Sequence, residues 1–124
     1  MGQYRRQTSL FFALTMCGGA VLAQSQEHQI AMAQVAGYRY DNAVYCKAPA
    51  ELLSAYKAMR KAKLPAAGAQ FEPAFEAGRM EASSKREKAM HGIVPVTDEK
   101  IRQSLCGNWA LVDRMRAEVA KNQR

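Results

Sequence analysis

The chain has 124 residues, 48% apolar and 23% charged, with a formal net charge of +7. That length allows one domain at most, and the balance of apolar and charged residues favours neither a disordered chain nor a membrane bundle. The surplus of base suits contact with anionic surfaces such as lipid headgroups or glycans, and equally a solvated, solubilising exterior.

Residues 1–23 read as a cleavable signal peptide. Gln3-Tyr4-Arg5-Arg6 supplies a positive n-region, Leu10 to Met16 an apolar h-region, and Val21-Leu22-Ala23 short side chains at the −3 and −1 positions. The apolar stretch from Leu10 to Ala23 is shorter than the roughly 20 residues that cross a bilayer as a helix, so no transmembrane span is expected in the mature form. Cleavage after Ser25 is a second option. Leu14-Thr15-Met16-Cys17 also has the outline of a lipoprotein box. Met16 is bulkier than such boxes favour, so lipid anchoring through Cys17 is the lesser alternative to a periplasmic or secreted product. Removal of residues 1–23 leaves 16 basic against 11 acidic residues. A domain of about 100 residues buries only about 60–65% of the surface its unfolded chain exposes, so a thin core is expected.

The same cut leaves two cysteines, Cys46 and Cys106. In an oxidising compartment the simplest arrangement is one disulfide between them. There is no Cys-x-x-Cys, which argues against a redox-active dithiol.

Residues 24–37 are polar and glutamine-rich, and read as a flexible tail or a loosely held helix closed by Gly37; the helical domain is expected over 38–124. Tyr38, Tyr40, Val44 and Tyr45 form an aromatic cluster, with Asp41-Asn42 as a turn or cap before Cys46. Pro49 suits the first turn of a helix over about 49–63, with Leu52, Tyr56 and Met59 on one face and Leu64-Pro65 as its stop. Ala66 to Ala69 is a linker. Pro73 opens a longer helix along Phe75, Arg79, Ala82, Arg86 and Ala89/Met90, ended by Gly92. The polar run Ser83 to Lys88 implies that only its first half packs well.

Ile93-Val94-Pro95-Val96 is an extended connector, and Thr97 an N-cap with Asp98 and Glu99 in the first turn. Val96 and Ile101 hold the positions of a hydrophobic staple. Ile101, Leu105, Val112, Met115 and Val119 then form one helical stripe. Cys106 falls about 140° from its centre at the α-helical repeat. Either the helix breaks at Cys106-Gly107-Asn108, or a continuous helix meets the Cys46 segment with its back. The predicted fold is therefore all-α: a small domain of three or four helices stapled by one disulfide, behind a cleaved signal peptide.

Functional chemistry is sparse. His28 and His91 lie in no catalytic motif, and Glu72/Glu76 or Glu76/Glu81 are spacings that solvated helix faces produce routinely. No enzyme and no cofactor is predicted. His28 and Met32 are four apart, with Met90-His91 as a second pair. Thioether plus imidazole suits copper, so periplasmic copper binding is the alternative function. Lys57, Arg60, Lys61, Lys85 and Arg86 belong to two basic clusters, read as the surface for another envelope or secreted protein. Nucleic acid is not expected, because the leader sets the wrong compartment and the aromatic pattern of a known module is missing. Phe71, Phe75 and Trp109 are expected as core anchors; exposed, they would instead mark a groove for a partner.

The stretch from Gly92-Ile93-Val94-Pro95-Val96-Thr97 to Ile101 and Cys106 is similar to small periplasmic acid-stress chaperones of the HdeA type. Those are also secreted helical domains with one disulfide. The longer cysteine spacing and the basic charge depart from that pattern. The expected function is binding through protein–protein contact, as an envelope accessory, chaperone-like or inhibitor/immunity factor.

Overall fold

The computed structural model describes residues 25–123, and these form helices without a strand. The leader, its cleavage after Ala23 and Cys17 lie outside the described residues. Helix α1 spans residues 25–45. It runs straight through Gly37 and Asp41-Asn42, where the sequence suggests an end and a turn. Packing overrides propensity there. Ala33, Ala36 and Ala43 are fully or almost fully buried in the core, and small side chains along that face let a neighbouring helix approach closely.

α1 stops at a left-handed Lys47, φ 60°, with the Lys47 amide donating to Val44 and the Ala48 amide to Ala43. These two bonds make a Schellman cap, with Cys46 as the last half-helical residue. Pro49 then caps α2, Ala50–Lys63, as its pre-set φ favours. A 3₁₀ segment, Pro65–Gln70, kinks at Gly68 (φ 53°, ψ −130°) and buries Ala67. What reads as a linker is thus part of the core.

Helix α3, Phe71–Met90, buries Phe71, Phe75, Gly78 and Ala82 along one face, the i, i+4, i+7, i+11 pattern of an amphipathic helix. Its polar second half is also fixed, by charge rather than apolar contact. Arg86 is 15% exposed and donates to Asp41 and Asn42 of α1.

After an exposed connector, α4 spans Asp98–Arg102, with the Thr97 hydroxyl accepting from the Lys100 amide. A π-helical segment, Gln103–Asn108, follows, and α5 spans Leu111–Asn122. Of the two arrangements left open above, the structure has the broken one. The break lies at Ala110, which is left-handed (φ 47°, ψ 45°), a little beyond Gly107. The wider π turn and this break turn Cys106 toward the end of α1, where it is bonded to Cys46 with the Cα atoms 5.5 Å apart.

The contacts fix the directions of the helices. Gln29 accepts from the Ala66 amide at one end; at the other the disulfide joins the end of α1 to the π turn, and a Tyr45–Asp98 hydrogen bond joins α1 to α4. Between these ends α1 and α3 touch backbone to backbone at Gly37 and Gly78. Arg60 of α2 pairs with Glu118 of α5. The largest fully buried side chains are Tyr56, Phe71 and Phe75, and much of the remaining core is alanine.

Candidate functional site

A half-open groove of about 940 Å³ runs between α1, the segment around Trp109 and α5. Each wall follows from a local feature. Val35, Tyr38 and Arg39 come from α1, with the Tyr38 backbone close to Gly78 at the α3 crossing and Lys85 of α3 over the Tyr38 ring. Leu105 and Trp109 come from the π turn and its exit, and Leu111, Arg114 and Met115 from the first turns of α5. Met115 and Tyr56 are buried beneath the opening. Val35 and Trp109 remain 40% and 61% exposed, an apolar surface left without cover.

The charges around this groove divide into committed and free. Glu118 is held by Arg60, and Glu81 by Lys85 at 3.4 Å and by the Gln34 amide at 3.1 Å. Arg39 and Arg114 make no ion pair and no side-chain hydrogen bond among the described residues. The unneutralised charge on the walls is therefore positive. Below, burial pushes the Tyr56 phenol above its ordinary pKa, and neither its hydroxyl nor Arg60 Nε has a hydrogen-bond partner among the described residues.

The wall that carries Leu105 and Trp109 is tied to α1 by more than the disulfide. The Tyr45 hydroxyl donates to the Asp98 carboxylate, and Arg102 donates to the same carboxylate (2.9 Å) and to the Tyr45 carbonyl (3.2 Å). The Tyr45 ring is contacted by two guanidinium groups, Arg102 at 4.4 Å and Arg86 at 4.7 Å, a cation–π arrangement. Burial first, and then the Asp98 carboxylate, push the Tyr45 phenol up. The hydrogen bonds from Tyr45 and Arg102 hold the Asp98 carboxyl below its usual range.

The five basic residues read from the sequence as a partner surface are mostly engaged within the chain. Lys57 and Lys61 both reach Glu72, at 2.9 and 3.4 Å, and together hold its carboxyl below the ordinary value, Lys57 most strongly. Arg60 binds Glu118, and Arg86 binds Asp41 at 2.7 Å. Lys85 alone of the five lines the groove. Phe71 and Phe75 are core anchors as expected; Trp109 is not, because the break at Ala110 carries it out of the core. His28 is exposed, while Met32 of the same helix packs partly on the core. Among the described residues no three His, Cys, Asp or Glu side chains are grouped as a metal site. Arg39, Arg114 and Val35 were missed by sequence reasoning. The one available signal was the i, i+4 pair Val35/Arg39 beside Tyr38.

No family model, curated protein or solved structure matches this chain. No helix among the described residues is long and apolar enough to cross a membrane.

Proposed function

We propose that the chain is an exported helical accessory protein that acts by binding rather than catalysis, holding a segment of another envelope or secreted protein in the groove. The observation that carries this reading is Trp109, 61% exposed on an apolar groove of about 940 Å³. A thin-cored domain that leaves its one tryptophan uncovered gains by having a partner cover it, at roughly 1.5–3 kcal/mol for each large apolar side chain fully buried. The Cys46–Cys106 bond supports export, because such bonds persist in oxidising compartments.

Site-specific photo-cross-linking in cells tests the binding reading. A photoreactive residue in place of Val35 should give a defined protein adduct, and one in place of the exposed Glu51 on α2, outside the groove, should not. Equal labelling from both positions, or none from Val35, refutes it. Export is tested by amino-terminal sequencing of protein recovered from the envelope fraction. A start at Gln24 is expected, and an intact leader there would overturn cleavage.

A further inference from the structure

The chemistry of the groove also narrows its occupant, given that it binds a protein segment as proposed above. Its walls offer apolar contact from Val35, Tyr38, Leu105 and Trp109, and two guanidinium groups uncommitted among the described residues, Arg39 on α1 and Arg114 on α5. Guanidinium groups bind carboxylates through paired, charge-assisted hydrogen bonds. One cation on each wall, with apolar surface between them, calls for carboxylates flanking apolar side chains. We infer that the occupant is an acidic amphipathic segment, with aliphatic side chains in the groove and carboxylates reaching Arg39 and Arg114.

A second copy of the chain is a poorer match. Its one strongly exposed aliphatic stretch among the described residues, Ile93 to Val96, is flanked by Asp98, which Arg102 already holds, and by Glu87 and Glu99 but equally by Lys88 and Lys100. That connector therefore brings no net negative charge to two free cations. The chain's own acids beside the groove, Glu81 and Glu118, are already paired.

The test uses Trp109, the single tryptophan of the chain, as the reporter. Three end-capped peptides share one leucine pattern at helical spacing and differ in flanking residues: glutamate, glutamine or lysine. The glutamate peptide should shift Trp109 emission to the blue and saturate. The glutamine peptide should bind at least about tenfold more weakly, the scale set by losing hydrogen bonds to a charged group. The glutamate affinity should fall as salt rises. The paired substitution Arg39→Glu/Arg114→Glu, at two exposed positions, should reverse the preference toward the lysine peptide while leaving the melting temperature in place.

Equal binding of all three peptides, or binding of none, overturns the inference. So does concentration-dependent self-association in sedimentation that Trp109→Ala abolishes, since the occupant is then another copy. If Val35 cross-links a partner but no acidic peptide binds, the inference falls and the binding reading stands. If neither occurs, both fall.

Discussion

Replacing Gly37 by alanine tests the helix crossing that positions the α1 wall of the groove. A Cβ at residue 37 would lie 1.8 Å from the Phe75 carbonyl oxygen, and one at residue 78 would lie 1.9 Å from that of Gln34. Real Cβ contacts stay beyond 3.0 Å, and the obstacle here is backbone, which cannot turn aside. The helices must therefore part by about 1 Å, far more than a close-packed interior absorbs freely. Overpacking of this kind costs about 1–3 kcal/mol. Parting α1 from α3 also stretches the bonds of Asp41 with Arg79 and Arg86, charge-assisted contacts of about 1.5–3 kcal/mol when lost. The better helix propensity of alanine returns about 1 kcal/mol.

The net loss is then about 2–4 kcal/mol, which lowers the melting temperature of a domain this size by about 10 °C or more. Circular dichroism melts of Gly37→Ala and Gly107→Ala make the comparison. At Gly107, inside a helical segment, an added Cβ meets nothing within 4 Å, so the change there should not destabilise and should gain up to about 1 kcal/mol. A Gly37→Ala protein that melts within a few degrees of the parent refutes the crossing.

Two further outcomes follow from the end of the molecule where α1 meets α4. Reduction of Cys46–Cys106 frees a loop spanning 60 residues in the unfolded chain. On the loop-closure account this costs about 4 kcal/mol, so melts with and without reductant should differ by at least 15 °C or so; coincident melts would exclude a stabilising bridge. Asp98 gives the pH dependence. Its folded pKa is depressed by the hydrogen bonds from Tyr45 and Arg102, so its contribution is fully present above the ordinary aspartate value of about 3.9 and is lost as pH falls through the lower folded value. Parent and Asp98→Asn should therefore melt apart at neutral pH and converge in acid; a gap that persists to the lowest pH would rule out titration of Asp98 as its source.

The local grammar of the sequence identified most of the helices. Pro49, Leu64-Pro65, Thr97 and the apolar spacing in α2, α3 and α5 are signals carried within a few residues, and they mark these elements where the structure has them. The cysteine count led to the bridge for a similarly simple reason. What was hidden is what depends on a distant partner. Gly37 looks like a helix end because its usual local effect is to weaken a helix, yet here it serves contact with Phe75. Asp41 and Asn42 look like a turn because their side chains often bond nearby backbone, yet both turn to Arg86.

The basic residues show the same limit at the candidate site. Lys57, Arg60, Lys61 and Arg86 stand out in the sequence by clustering, and their acids, Glu72, Glu118 and Asp41, lie 11 or more residues away along the chain. Arg39 and Arg114 stand near acids in sequence, Asp41 and Asp113. Only the fold shows that neither makes an ion pair among the described residues. A free charge is a property of tertiary neighbours, and composition cannot report it.

The break at Ala110 is the step from which the groove follows, and one substitution reads it by sign. Ala110 is a non-glycine residue in the left-handed region, a conformation that costs an L-residue about 1–2 kcal/mol and glycine almost nothing. Ala110→Gly should relieve that strain. Part of the gain is offset by the greater freedom of glycine in the unfolded chain, leaving about 0.5–1 kcal/mol of added stability. Were residues 98–122 one continuous helix, the same substitution would fall in a helix interior and cost about 1 kcal/mol. Urea denaturation resolves a difference of opposite sign. A destabilised Ala110→Gly would put Trp109 back on a straight helix and remove the groove as drawn here.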